Sequence, residues 1–298
     1  MIAGRIYIIT VLLLQVMIVN GQKDTVIQNG FYPDTLIKGR LTGVVIAQNG
    51  IYGGAITGLS LMYYKDYKRS GFYFYNDNNS WLQIDKAGHI FSSYYLGEIM
   101  YLSYRWAGVE RKQAILYGSL LAYTFQLNIE ILDGISSKWG FSWGDIAANT
   151  AGCMLFAGQQ LAWDEQRFLV KYSWHPTDYP KYNPGILGAT FVENLWEDYN
   201  GMTFWLSGNI SSFLPCRSKF PKWLNVAIGY GGEGLAVTTY NYQMYRQYYL
   251  SLDVDLTRIP TRSKSLKVLF AILNFIKIPF PALEYNSKGE VRFHYLYF

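Results

Sequence analysis

Three short stretches of this chain carry acidic, imidazole and amide side chains at the spacing of a helical turn. Asp85 and His89 in DKAGH are four residues apart, with Ser92 a turn further on. Gln126, Glu130 and Asp133 in QLNIEILDG form a second stripe, and Asp145, Asn149 and Gly152 in SWGDIAANTAG a third. On helices each set falls on one face, and Gly152 offers a place where another backbone can approach. Packed with the stripes inward, Asp85, His89, Gln126, Glu130, Asp133, Asp145 and Asn149 line one pocket.

Carboxylates crowded in a low-dielectric interior cannot all stay ionised without a cation, an imidazolium or bound protons. Oxygen-rich donors with a single imidazole suit a hard or borderline divalent metal ion, with Asp85, His89, Glu130 and Asp145 as the expected ligands. A basic or polyol headgroup is the alternative occupant. A metal-bound water with Glu130 or His89 as proton acceptor would make the site hydrolytic, and those two are the candidate catalytic residues.

Each stripe also has a structural explanation. Ser142 and Asp145 fit a capping box at a helix start, and Asp85 fits the same part at the helix before it. His89 reads equally as a hydrogen-bonded core residue. Glu130 is harder to explain away. It sits late in a long apolar helix with no cationic side chain one turn to either side, and an unpaired buried carboxylate is costly.

The elements that must position these residues are helices. Segments 84–106, 111–133 and 143–163 are helix-length and mostly apolar, with polar residues at three- or four-residue spacing. Residues 41–66 form a small-residue-rich apolar helix in which Gly50, Gly54 and Gly58 are four apart, a spacing that favours close helix contact. Beyond residue 164 the composition turns to Trp, Tyr, Pro and Asn (WHPTDYPKYNPG), which predicts a connection. A short amphipathic stretch at 190–214, a strand within 243–258, a helix over 263–278 and a hairpin turning at Asn286–Gly289 follow. The expected fold is mainly α, an apolar helical bundle over 22–165 followed by a small mixed α+β region over 166–298 with two or three strands.

The chain has 298 residues, half of them hydrophobic, and only 16% are charged, against roughly 25% in average soluble domains. With 27 tyrosines, such a surface suits a membrane boundary; a soluble protein with a tyrosine-rich surface is the alternative. The net charge of +5 is scattered, so nucleic acid is not an expected partner. Arg5, the apolar run 6–19 and the Val19-Asn20-Gly21 site read as a secretory signal over 1–21. An uncleaved anchor is the alternative, although the run is shorter than the roughly 20 residues a span needs. No cysteine follows the run, so lipid attachment there is not expected. The chain is therefore expected to be exported. Cys153 and Cys216 make neither a disulfide framework nor a metal motif. GYGGEG at 229–234 lacks the lysine of a phosphate-binding loop. WEDYNGMTFW at 196–205 reads as packing, with an interfacial belt or glycan-stacking surface as the functional alternative.

The ordered set DKAGH, NIEILDG and SWGDIAANTAG resembles the YfiM-like domain family of unknown function (DUF2279) and, more distantly, the VanZ-like membrane proteins. The resemblance is close over residues 80–165 and continues through EDYNGMTFWLS, PKWLNVAIGYG and YYLSLDVDLTRIP. It places Asp85, His89, Glu130, Asp145 and Asn149 at the family's motif positions. Joined to the export signal, it implies the periplasm or outer envelope, membrane-associated, with an envelope lipid or glycan as partner. It also implies a polar motif inside helices, and brings no established reaction. VanZ-like chains carry Gln near the position of Asp133, and the lipoprotein members have an attachment cysteine that this chain lacks.

Overall fold

A computed structural model describes residues 32–63, 69–215, 217–236 and 243–298. The expected signal segment and Cys216 lie outside the described residues. The chain divides into two compact units, one of residues 2–78 and 89–166 and one of residues 79–88 and 167–298.

The first unit is helical. It contains α1 (Lys38–Tyr63), most of α2 (Ile84–Trp106), α3 (Arg111–Gly134) and α4 (Trp143–Trp163). Each of the last two starts on a side-chain cap, Glu110 accepting from Gln113 N–H and Ser142 accepting from Asp145 N–H. Tyr94, Ile99, Ile129 and Phe156 are almost fully buried between these helices. At the far end of the pair, Arg111 bonds the Asp164 carboxylate at 2.8 Å and the Gln160 carbonyl at 2.8 Å. Among the described residues a Cβ at Gly50 or Gly54 of α1 would meet nothing within 4 Å. Close approach occurs elsewhere, at Gly118 against the α2 backbone (Tyr101 N, 2.8 Å) and at Gly152. Among the described residues α3 is the one helix long and apolar enough to cross a membrane, and 39% of its apolar window is buried.

The second unit overturns the mainly-α expectation. Six antiparallel strands, β1 (Phe168–Trp174), β2 (Met202–Asn209), β3 (Leu224–Glu233), β4 (Tyr245–Val254), β5 (Phe280–Asn286) and β6 (Val291–Tyr297), lie in the order of the sequence. β1 leads into the WHPTDYPKYNPG stretch, which is the expected connection and holds only short turns. Here α5 (Phe191–Glu197) and β2 divide the WEDYNGMTFW stretch between them, and the glycine-rich patch is the end of β3. The polarity of the sheet explains the misreading. In β3, Asn225, Ala227, Gly229 and Gly231 are buried while Val226 and Ile228 are exposed, and β4 and β5 alternate the same way. Polar and small residues point inward, so the strands do not read as half-buried strands with apolar cores. The amphipathic helix α6 (Lys264–Leu273) starts on a Ser263 cap, and the β5–β6 hairpin turns at Asn286–Gly289.

The inner face holds buried charge. Lys171 and Asp253, both fully buried, pair at 2.9 Å. Lys277 donates to the Ile278 carbonyl at 2.7 Å and to Ser251 Oγ at 3.2 Å, with its ammonium over the Trp205 ring. Burial, partly offset by Asp253, holds the Lys277 ammonium down at about 8. Between pH 8 and the ordinary lysine value the unfolded chain therefore binds more protons than the folded one, and stability rises with pH across that window. The stability difference between Lys277→Met and wild type should fall from pH 8 to pH 10 in denaturant unfolding. A pH-independent difference would contradict this.

Candidate metal centre

Three helices of the first unit bring His89, Glu130 and Asp145 together, and the sequence explains how each gets there. His89 lies on α2 one turn before Ser93, so both face α4. There Asn149 Oδ1 accepts from His89 Nδ1 at 3.0 Å and from Ser93 Oγ at 3.0 Å. Gln126 on α3 reaches the same layer, its amide donating to Ser92 Oγ at 2.9 Å and Ser93 Oγ at 3.0 Å. The chain of donors has a direction. Because Gln126 donates to Ser93, Ser93 donates onward to Asn149, and the Asn149 carbonyl oxygen can then only accept from His89. The proton of a neutral His89 therefore sits on Nδ1, and the Nε2 lone pair faces the carboxylates, as in metal-bound histidines whose other ring nitrogen donates to an oxygen.

That Nε2 lies 3.7 Å from Asp145 Oδ1 and 3.9 Å from Glu130 Oε1. The three donor atoms all fall within 4.8 Å of one another. The two edges that meet at His89 Nε2, 3.7 and 3.9 Å, correspond to ligands about 2.3–2.4 Å from a shared ion at near-tetrahedral angles.

Glu130 is 1% exposed. Its Oε2 accepts from Ser142 N–H at 3.4 Å, while its Oε1 has no hydrogen bond among the described residues. Burial, with the Asp145 and Asp133 charges adding and His89 opposing, pushes the Glu130 carboxyl well above the usual carboxylate range, to about 8. Asn149 Nδ2 is a second buried group with no hydrogen-bond partner among the described residues.

The capping explanation of Asp145 holds only in part. Ser142 is the cap, accepting from Asp145 N–H at 3.2 Å and donating to Asp77 at 2.6 Å. Its own N–H goes to Glu130, so a helix cap and the candidate site share one serine. Asp133 is half-buried near the end of α3 and acts on Glu130 through its charge. Asp85 belongs to the other unit, in the first turn of α2, where it pairs with Lys86 at 3.1 Å. Sequence reasoning passed over two members of the network. Ser93 stands four residues after His89, a spacing as good as the three of Ser92, and Asp77 sits in a polar loop with no helical periodicity to mark it.

Gly152 keeps α2 and α4 close enough for the His89–Asn149 bond. A Cβ there would run into the Ile90 carbonyl oxygen and lie 2.8 Å from Ser93 Cβ. Gly152→Ala should destabilise by about 1–3 kcal/mol through overpacking, read as a lower melting temperature. A melting temperature equal to wild type would mean the helices are less closely packed than this.

Residues 70–158, which include the whole His89, Glu130, Asp145 and Asn149 set, match a family described as a predicted periplasmic lipoprotein (DUF2279). No curated protein matches the chain, and no solved structure does. An exported location in the periplasm or at the envelope agrees with that family description.

Proposed function

We propose that His89, Glu130 and Asp145 bind one divalent cation, and that this ion holds the phosphate of an envelope lipid or glycan headgroup. The observation that carries the reading is the buried Glu130 Oε1, without a hydrogen bond, facing a histidine lone pair and a second carboxylate. Three protein ligands leave coordination positions for an outside oxygen. Exposed aromatic rings stand beside Ser142, with Trp143 stacked on Phe74 at 5.9 Å between centroids. Such rings suit a sugar face or a lipid interface. Binding is favoured over hydrolysis, because His89 and Glu130 as ligands are not free to take a proton from a bound water. The likeness to YfiM-like lipoproteins and, more distantly, VanZ-like proteins supports an envelope ligand in the same way.

The test is calorimetric titration of glycerol phosphate into the full chain, once loaded with manganese and once stripped by chelator. Binding to the loaded protein alone supports the reading, and equal binding to both would refute the ion-bridged mode. A second reading, a non-catalytic scaffold in which the polar motif locks the helices, is favoured by the continuous Gln126–Ser93–Asn149–His89 network. Under it, Gln126→Ala and Asn149→Ala lower stability and no ion or phosphate binds.

A further inference from the structure

We infer that the outward face of the β-sheet is a lipid-contact surface that dips into the acyl region of a bilayer. The buried face of the sheet mixes an aromatic cluster of Trp205, Tyr249 and Tyr297 with charged and amide groups. Lys171, Asn225, Gln247, Asp253, Glu284 and Asn286 are buried on one face, while the other carries large apolar side chains. Leu206, Ile228, Leu250, Leu283 and Phe293 stand in register across β2 to β6, all exposed, with Ile228 at 57% and Leu250 at 51%. Val226 and Leu252 make a second exposed pair one step along. Polar-in and apolar-out alternation is the pattern of strands that meet lipid.

The order of residues along the strands identifies the occupant. Next to the aliphatic rows comes a tyrosine row, Tyr230, Tyr248 and Tyr285 in register, with Tyr248 and Tyr285 stacked. One step further out is Arg246, which donates to the Tyr230 hydroxyl at 3.2 Å. At the opposite end of β3 stand Lys222 and Trp223, just before Leu224. Aliphatic rows bounded at both strand ends by aromatic and then basic residues suit a face lying flat on a bilayer, its rings and cations reaching back to the headgroups.

The size fits insertion without crossing. The exposed aliphatic rows run two residues along β3, from Val226 to Ile228, or about 7 Å, and five strands make the longer row about 20 Å wide, on the order of 200 Å² with the side chains. A spanning barrel needs an apolar band about 25 Å tall and no free edge. Here β1 is bridged at Tyr172 by the backbone of residues 275–277, and β6 has no further strand partner among the described residues. The surface is independent of the His89–Glu130–Asp145 site, which lies in the other unit.

The experiment reads the face itself. In a Cys216→Ser background, the full chain carries Leu250→Cys or Ile228→Cys labelled with an environment-sensitive NBD group, and Lys288→Cys at the hairpin tip serves as reference. With phosphatidylethanolamine–phosphatidylglycerol vesicles, both face labels should brighten several-fold and be quenched by lipids brominated on the acyl chains. The Lys288 label should stay accessible to aqueous iodide. Face labels that remain as iodide-accessible as Lys288 would overturn the proposal. So would labels shielded from iodide and from brominated lipid in a particle of twice the mass, which would assign the face to a second copy.

Discussion

Glu130→Gln should abolish ion binding and at the same time leave the metal-free protein more stable at neutral and alkaline pH than wild type. The carboxyl is buried with one oxygen lacking a hydrogen bond, and burial raises it to about 8. Glutamine has the shape of the protonated acid. In the absence of metal, the folded wild type binds more protons than the unfolded chain between the ordinary glutamate value and about 8. Its stability should therefore fall as pH rises through that window, while the glutamine variant lacks this slope. Metal reverses the ranking. An ion at a thousand times its dissociation constant stabilises wild type by about 4 kcal/mol, and the variant should gain almost none of it. Urea unfolding of both proteins at pH 5 and pH 8, with chelator and with manganese, checks every part. Equal metal-induced stabilisation of the two proteins would remove Glu130 from the site.

Lys171→Met should cost about 3–5 kcal/mol, because it leaves Asp253 charged in a fully buried position. Asp253 keeps its bonds from Ser207 Oγ at 2.6 Å and Ile278 N–H at 3.2 Å, which hold the carboxylate in place without neutralising it. Lys277 is near, but its bonds go to Ile278 and Ser251. Replacing both partners, Lys171→Met with Asp253→Leu, should recover only part of the loss, because it removes the uncompensated carboxylate but takes from Lys277 a countercharge and from Ser207 Oγ and Ile278 N–H their acceptor. Denaturant unfolding followed by tryptophan fluorescence gives both values. A single variant within about 0.5 kcal/mol of wild type would mean that the buried pair does not hold the inner face together.

The helices and the site were legible because helical spacing is a local signal. Asp85–His89, Gln126–Glu130 and Asp145–Asn149 each announce a face, and α2, α3 and α4 run where their apolar periodicity puts them. The spacing does not reveal which members meet. Asp85 falls on the turn of α2 that belongs with the sheet, Asp133 stands near the helix end, and His89, Glu130 and Asp145 bring ligand atoms within 4.8 Å of one another, with Asn149 bonded to His89. The sheet was mostly illegible. Only β4 and the last hairpin have patterns that stand alone. In β1 a central lysine, and in β3 a run of glycines, are strand-compatible because the inner face is polar and tightly packed. The Cβ of a residue at Gly229 would lie 2.7 Å from the Trp205 ring, for example. A reading that assumes apolar residues point inward assigns such segments to loops.

The most direct test of the account is elemental analysis of the purified full chain alongside His89→Ala. The account predicts a single equivalent of a divalent ion in wild type and its loss in the variant, with the helical signal of both unchanged. A folded wild type that carries no ion, and takes none up from manganese, zinc or calcium, would contradict it and leave the polar network as a lock between helices.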